Sequence, residues 1–155
     1  MKKLYKLMKK IFFASIFLLL IYGIENSHAQ SLSQLVDFCA MNAGDDATYL
    51  KDFIVELEEA KPDEKPPVFK ASMALSKGTL YRFSICNSDA SPGKGVLELY
   101  DGNQLLLSTY NPATGQEYSS VNFQCNKTGV YHLFVSFREG KAGMAVGILS
   151  FIKKL

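Results

Sequence analysis

The stretch Thr128-Gly129-Val130-Tyr131-His132-Leu133-Phe134-Val135-Ser136-Phe137 decides the fold. Tyr131, Leu133, Val135 and Phe137 recur at every second position, with His132 and Ser136 between them. A period of two sends alternate side chains to opposite faces of a strand, whereas a helix needs a period near 3.6. Lys127-Thr128-Gly129, which leads into the strand, and Glu139-Gly140-Lys141 after it are turn sequences.

The same grammar repeats outward in both directions. Downstream, Met144 to Ile152 reads as a last strand. Upstream, Val121, Phe123 and Cys125 alternate with Asn122 and Gln124, and Gln104 to Tyr110 is a strand ended by Asn111-Pro112. Leu97 and Leu99 flank Glu98, and Asp101-Gly102-Asn103 is a hairpin turn in which glycine supplies a positive φ. Ser88 to Gly95 is a loop. Tyr81, Phe83 and Ile85 form one strand, and Phe69, Ala71, Met73 and Leu75 another, joined by Ser76-Lys77-Gly78. Seven strands with no helix-period segment between them predict a mainly β fold, an antiparallel β-sandwich of Greek-key or jelly-roll type over residues 68–155. Val130–Phe137 and Ala145–Ile152 are apolar on both faces, which predicts central strands lying under the N-terminal segment.

Lys61-Pro62-Asp63-Glu64-Lys65-Pro66-Pro67 interrupts this pattern, because its prolines continue neither a helix nor a central strand. It separates the body from an N-terminal segment, residues 30–60. There, Leu32, Leu35, Val36 and Cys39 share one helical face within Ser31 to Ala43, and Gly44 stops the helix. Thr48 to Glu59 fits either period. The Ile54-Val55 pair tips the reading to strand.

Residues 1–29 read as a secretory signal peptide: five lysines, an apolar run from Ile11 to Ile24, and a small-x-small site at Ser27-His28-Ala29. Its removal takes five lysines and one acid from 17 basic and 15 acidic residues, which turns a net charge of +2 into −2. The remainder has no clustered basic run, so neither nucleic acid nor a membrane surface is an expected partner. Cys39 lies in no lipidation motif, and no membrane span is expected after cleavage. The chain has 155 residues, of which 48% are hydrophobic, enough for one core and too many for a disordered or collagenous chain.

Cys39, Cys86 and Cys125 enter an oxidising compartment, so one disulfide and one free thiol are expected. All three pairings are open. Cys86–Cys125 is favoured because both residues end strands.

Several chemistries lack their residues. His132 is the one histidine after the leader and lies in mid-strand, so no catalytic residue is assigned. Glu98 and Asp101 fall on opposite sides of one strand, which does not suit a carboxylate pair. Asp45-Asp46 and Asp101 with Asn103 read as turn and cap residues rather than a calcium loop, and Asn126-Lys127-Thr128 as a turn. No metal and no cofactor is expected. There is no tryptophan for a sugar platform, yet Tyr100, Asp101, Tyr110 and Tyr118 surround one hairpin and loop and form the candidate ligand-binding set.

Three pieces, in order, carry a family resemblance. Leu75-Ser76-Lys77-Gly78-Thr79-Leu80-Tyr81-Arg82-Phe83, Leu97-Glu98-Leu99-Tyr100-Asp101 and Thr128-Gly129-Val130-Tyr131-His132-Leu133-Phe134-Val135 resemble the pre-peptidase C-terminal type of bacterial secreted domain over about residues 68–152. The resemblance implies a small, exported jelly-roll-like sandwich. The chain departs from that family in having no attached enzyme and in carrying its own N-terminal helix and three cysteines. The expectation is therefore a non-enzymatic interaction or structural module of the bacterial envelope, periplasmic or at the cell surface, with an envelope protein as partner. The alternative is a small-ligand, peptide or carbohydrate-binding module using the tyrosine-lined surface.

Overall fold

The computed structural model describes residues 27–155, with side chains described from Leu32. Residues 1–26, most of the expected leader, lie outside the described residues, and Ser27-His28-Ala29 opens helix α1 (Ser27–Met41). A boundary between two compact units falls within this helix, so that its last turns, from Leu35, belong with the β body to one unit, Leu35–Leu155. Among the described residues no helix is long and apolar enough to cross a membrane.

The strands are β1 (Thr48–Leu57), β2 (Phe69–Leu75), β3 (Thr79–Asn87), β4 (Gly95–Asp101), β5 (Gln104–Ser108), β6 (Tyr110–Asn111), β7 (Gln116–Glu117), β8 (Ser120–Cys125), β9 (Gly129–Phe137) and β10 (Gly143–Lys154). They build one sheet in the order β1-β10-β3-β8 and a second in the order β2-β9-β4-β5. The strands of both sheets pair antiparallel. Eight strands shared in this order between two packed sheets are a jelly roll. The ambiguous segment is strand β1. The segment 104–110 is divided: β5 ends at Ser108, and Tyr110–Asn111 pairs instead with Gln116–Glu117 as a short separate ribbon.

The core follows the two-residue period. Phe83 and Ile85 of β3, Leu97 and Leu99 of β4, Leu133 and Val135 of β9, and Ala145 and Leu149 of β10 meet between the sheets. The intervening positions of β10, Val146 and Ile148, face the other way and are buried under Cys39, with Leu35, Val36 and Ala40 packed beside it. Thus β10 is central and lies beneath the helix, as its doubly apolar sequence requires. Strand β9 is also central, but its alternate positions are left half-exposed or exposed, with Val130 at 57%. The last turns of α1 pack on the first sheet and not on the second.

The disulfide is Cys39–Cys86, with Cα atoms 5.6 Å apart, and Cys125 is a buried free thiol. The favoured Cys86–Cys125 pairing is therefore not formed. Cys125 pairs across from Thr79, at the start of β3. Cys86 lies seven residues further along that strand, about 23 Å away at 3.3 Å per residue. The two also face opposite ways, Cys125 into the inter-sheet core and Cys86 toward the helix. The Cys125 thiol donates to the Lys127 carbonyl at 3.1 Å and sits near Tyr131. Burial, then the thiol contact, pushes the Tyr131 phenol up to about 12.

Close approach of backbone to ring makes Gly143 irreplaceable. A Cβ there would lie 2.2 to 2.6 Å from three ring atoms of Phe137, itself 4% exposed. Gly143→Ala is expected to cost about 2 kcal/mol through overpacking. In a Phe137→Leu background the same change should cost less than half as much, read as the coupling energy of a double-mutant cycle in urea.

Candidate functional site

The site grows from the outer face of the second sheet. Because Leu97 and Leu99 are fully buried, their neighbours Val96, Glu98 and Tyr100 point outward. By the same alternation His132, Phe134, Ser136 and Arg138 point outward from β9 and the turn that follows it, and Lys70 and Ser72 from β2. Register then sets these side chains in rows. Lys70, Phe134 and Glu98 form one row; Ser72, His132 and Tyr100 form the next.

The row contacts are direct. The Lys70 ammonium lies 4.9 Å from the centre of the Phe134 ring, and Phe134 and Tyr100 have ring centres 4.9 Å apart. The Tyr100 hydroxyl donates to Glu98 Oε2 at 3.0 Å. Burial, and then this carboxylate, raise the Tyr100 pKa. Ser72 Oγ and His132 Nδ1 are 2.9 Å apart. The hydrogen-bond partner of His132 is thus a serine hydroxyl of the neighbouring strand, whereas a hydrolase triad orients its histidine with a carboxylate.

One end of this face is hollow. Thr109 makes the hollow by tying the β6–β7 ribbon to β4: its amide donates to the Leu97 carbonyl and its Oγ1 accepts the Leu97 amide, both at 2.9 Å. The ribbon carries Tyr110 and Pro112 over Val96, leaving an open concavity of about 400 Å³. Glu98, Ser136, Arg138 and Glu139 complete its lining. Arg138 stacks on Tyr110, 4.4 Å from the ring centre, and pairs with Glu117. The hydrogen bond to Glu117 raises the Arg138 pKa further and locks the guanidinium in place. Glu139 adopts a left-handed backbone, φ 57°, which turns the chain at the rim.

Of the four candidate residues, Tyr110 lines this hollow and Tyr100 adjoins it through Glu98. Tyr118 does not join them. Its amide bonds the Thr109 carbonyl, one step past the Tyr110–Glu117 pair, and alternation places it on the other face of the ribbon. Asp101 does not join them either; it pairs with Lys127 at 3.1 Å. Asp46, weighed for calcium, is held by Arg82 at 2.7 Å, and that hydrogen bond lowers its pKa. Among the described residues no three His, Cys, Asp or Glu side chains are grouped to hold a metal.

Sequence reading passed over Arg138, Ser136 and Glu139. Their signal was parity: Ser136 and Arg138 share the outward phase of His132 once Leu133 and Val135 are core. Nothing local announced that a ribbon fourteen or more residues after Val96 would fold over it. No protein-family model matches this chain, and no curated protein matches it, so the reading of the site rests on its own geometry.

Proposed function

We propose that this chain is an exported, non-enzymatic interaction module of the bacterial envelope, and that it binds through the outer face of its second sheet. One observation carries the reading: the last turns of α1 bury Val146 and Ile148 on the outer face of the first sheet, while the outer face of the second presents Lys70, Phe134, Glu98 and Tyr100 with a hollow at its end. A flat aromatic and polar face of this kind resembles an interface core with a polar rim. The leader pattern supports export, and the resemblance to secreted pre-peptidase C-terminal domains supports the sandwich fold and that compartment. The small-ligand reading is favoured by the hollow itself, where Tyr110 and Glu98 offer an apolar surface beside convergent polar groups.

The test is photo-crosslinking of the full chain in intact cells. Benzoylphenylalanine at Phe134 is expected to capture an envelope component reproducibly. The same label at Met41, 80% exposed on the helix, should capture none. Equal capture from both positions, or none from Phe134, overturns the reading.

A further inference from the structure

We propose that the hollow over Val96 takes an uncharged sugar unit of an oligosaccharide, whose next unit lies on Tyr100 and Phe134; this rests on the binding-face reading above. The lining excludes the simpler occupants. An anion would meet Glu98 and Glu139, and the one arginine is already neutralised by Glu117. A purely apolar ligand would strip water from two carboxylates and repay them with nothing. An organic cation would be repelled by the positive charges already beside these rings, Lys70 at Phe134 and Arg138 at Tyr110, whereas a neutral ligand would not.

A sugar ring matches what is left. It has an apolar C–H face and an edge of hydroxyls, each able to donate and accept. Val96, Pro112 and the Tyr110 ring supply the apolar surface. Glu98 and Glu139 offer acceptors, Arg138 offers donors not engaged by Glu117, and Ser136 offers both. Glu98 spends Oε2 on Tyr100 and keeps Oε1 for a ligand. Phe134 shares the Glu98 row at the edge of the hollow, and Tyr100 stands in the next row, two residues or about 6.8 Å along β4, where a second unit would stack.

Titration calorimetry of the leaderless chain tests this against neutral oligosaccharides (hexose and N-acetylhexosamine oligomers), polyuronate and an oligolysine peptide. At least one neutral oligosaccharide is expected to bind saturably, with polyuronate weaker by tenfold or more. Glu98→Gln keeps the acceptor for Tyr100 and should weaken that binding at least tenfold without moving the thermal midpoint. Ser136→Ala should weaken it severalfold, and Glu64→Gln, in the exposed proline-rich loop, not at all. Absence of binding to every neutral oligosaccharide overturns the proposal, as does binding of oligolysine alone, or sugar binding that Glu98→Gln and Ser136→Ala leave intact. Capture from Phe134 in cells alongside such a failure would sink the sugar and keep the binding face; loss of both would sink both.

Discussion

Replacing Cys39 and Cys86 together by alanine lowers the unfolding free energy by about 4 kcal/mol, the chain-entropy value for a bridge closing a loop of this length. In thermal terms that is a fall of about 15 °C for a body of this size. The bridge joins the last turns of α1 to β3, and those turns cover Val146 and Ile148. A helix this short has little stability of its own in water. Without the bridge the segment 35–43 should therefore open more often than the sheets do, leaving the outer face of β10 to water. Thermal unfolding with and without reductant checks the first part: the parent should fall to the level of the double variant, and the variant should not respond. Hydrogen exchange checks the second: segment 35–43 is expected to open locally and exchange well before Leu133 and Val135 of β9, whose protection follows global unfolding. A loss under 1 kcal/mol would mean that packing alone holds the helix. Cys125 should resist alkylation in the folded parent and react on unfolding, since it is 0% exposed.

Phe83→Ala is expected to cost about 4 kcal/mol, within the range for deleting a buried ring. Phe83 is fully buried in β3, a central strand of the first sheet, opposite Leu149 on one side and Val121 on the other. Its ring meets Phe123 edge-on with centres 6.5 Å apart, and Phe123 in turn meets Tyr131 of the second sheet at 5.5 Å. The ring thus belongs to a chain of aromatics that joins the two sheets. Its neighbours sit on hydrogen-bonded strands and have little freedom to collapse into the space, which places the cost toward the upper part of the range. A domain of ordinary stability, 5–15 kcal/mol, would lose a large share of it. Urea unfolding should show a lower midpoint with an unchanged slope. Phe83→Leu fills most of the space and should cost roughly 1.5 kcal/mol or less. If both variants cost the same small amount, the aromatic chain does not join the sheets as described.

The mainly β class, the strands and the turns were legible in residues 68–152 because each rests on local alternation and local turn chemistry. Asp101-Gly102-Asn103 needs nothing distant to be a turn: Gly102 has φ 57° with open space around it. The disulfide was half legible. Counting alternate positions from Ile85 and Phe123, both core-facing, already places Cys86 and Cys125 on opposite faces, and that count outweighs their shared position at strand ends.

What residue spacing determined by itself is therefore which side chains share a face: Leu97 with Leu99, Glu98 with Tyr100, His132 with Phe134 and Ser136. What only the tertiary structure decided is which face is covered and which residues become neighbours across it. Val146 and Ser136 both alternate with core residues, but the helix reaches the first and not the second. Tyr110 meets Arg138, 28 positions away, and Tyr118 does not meet Tyr100. Those outcomes depend on where Thr109 anchors its ribbon to β4 and on which sheet the Cys39–Cys86 bridge ties down. Both are long-range contacts, and a two-residue period carries no information about them.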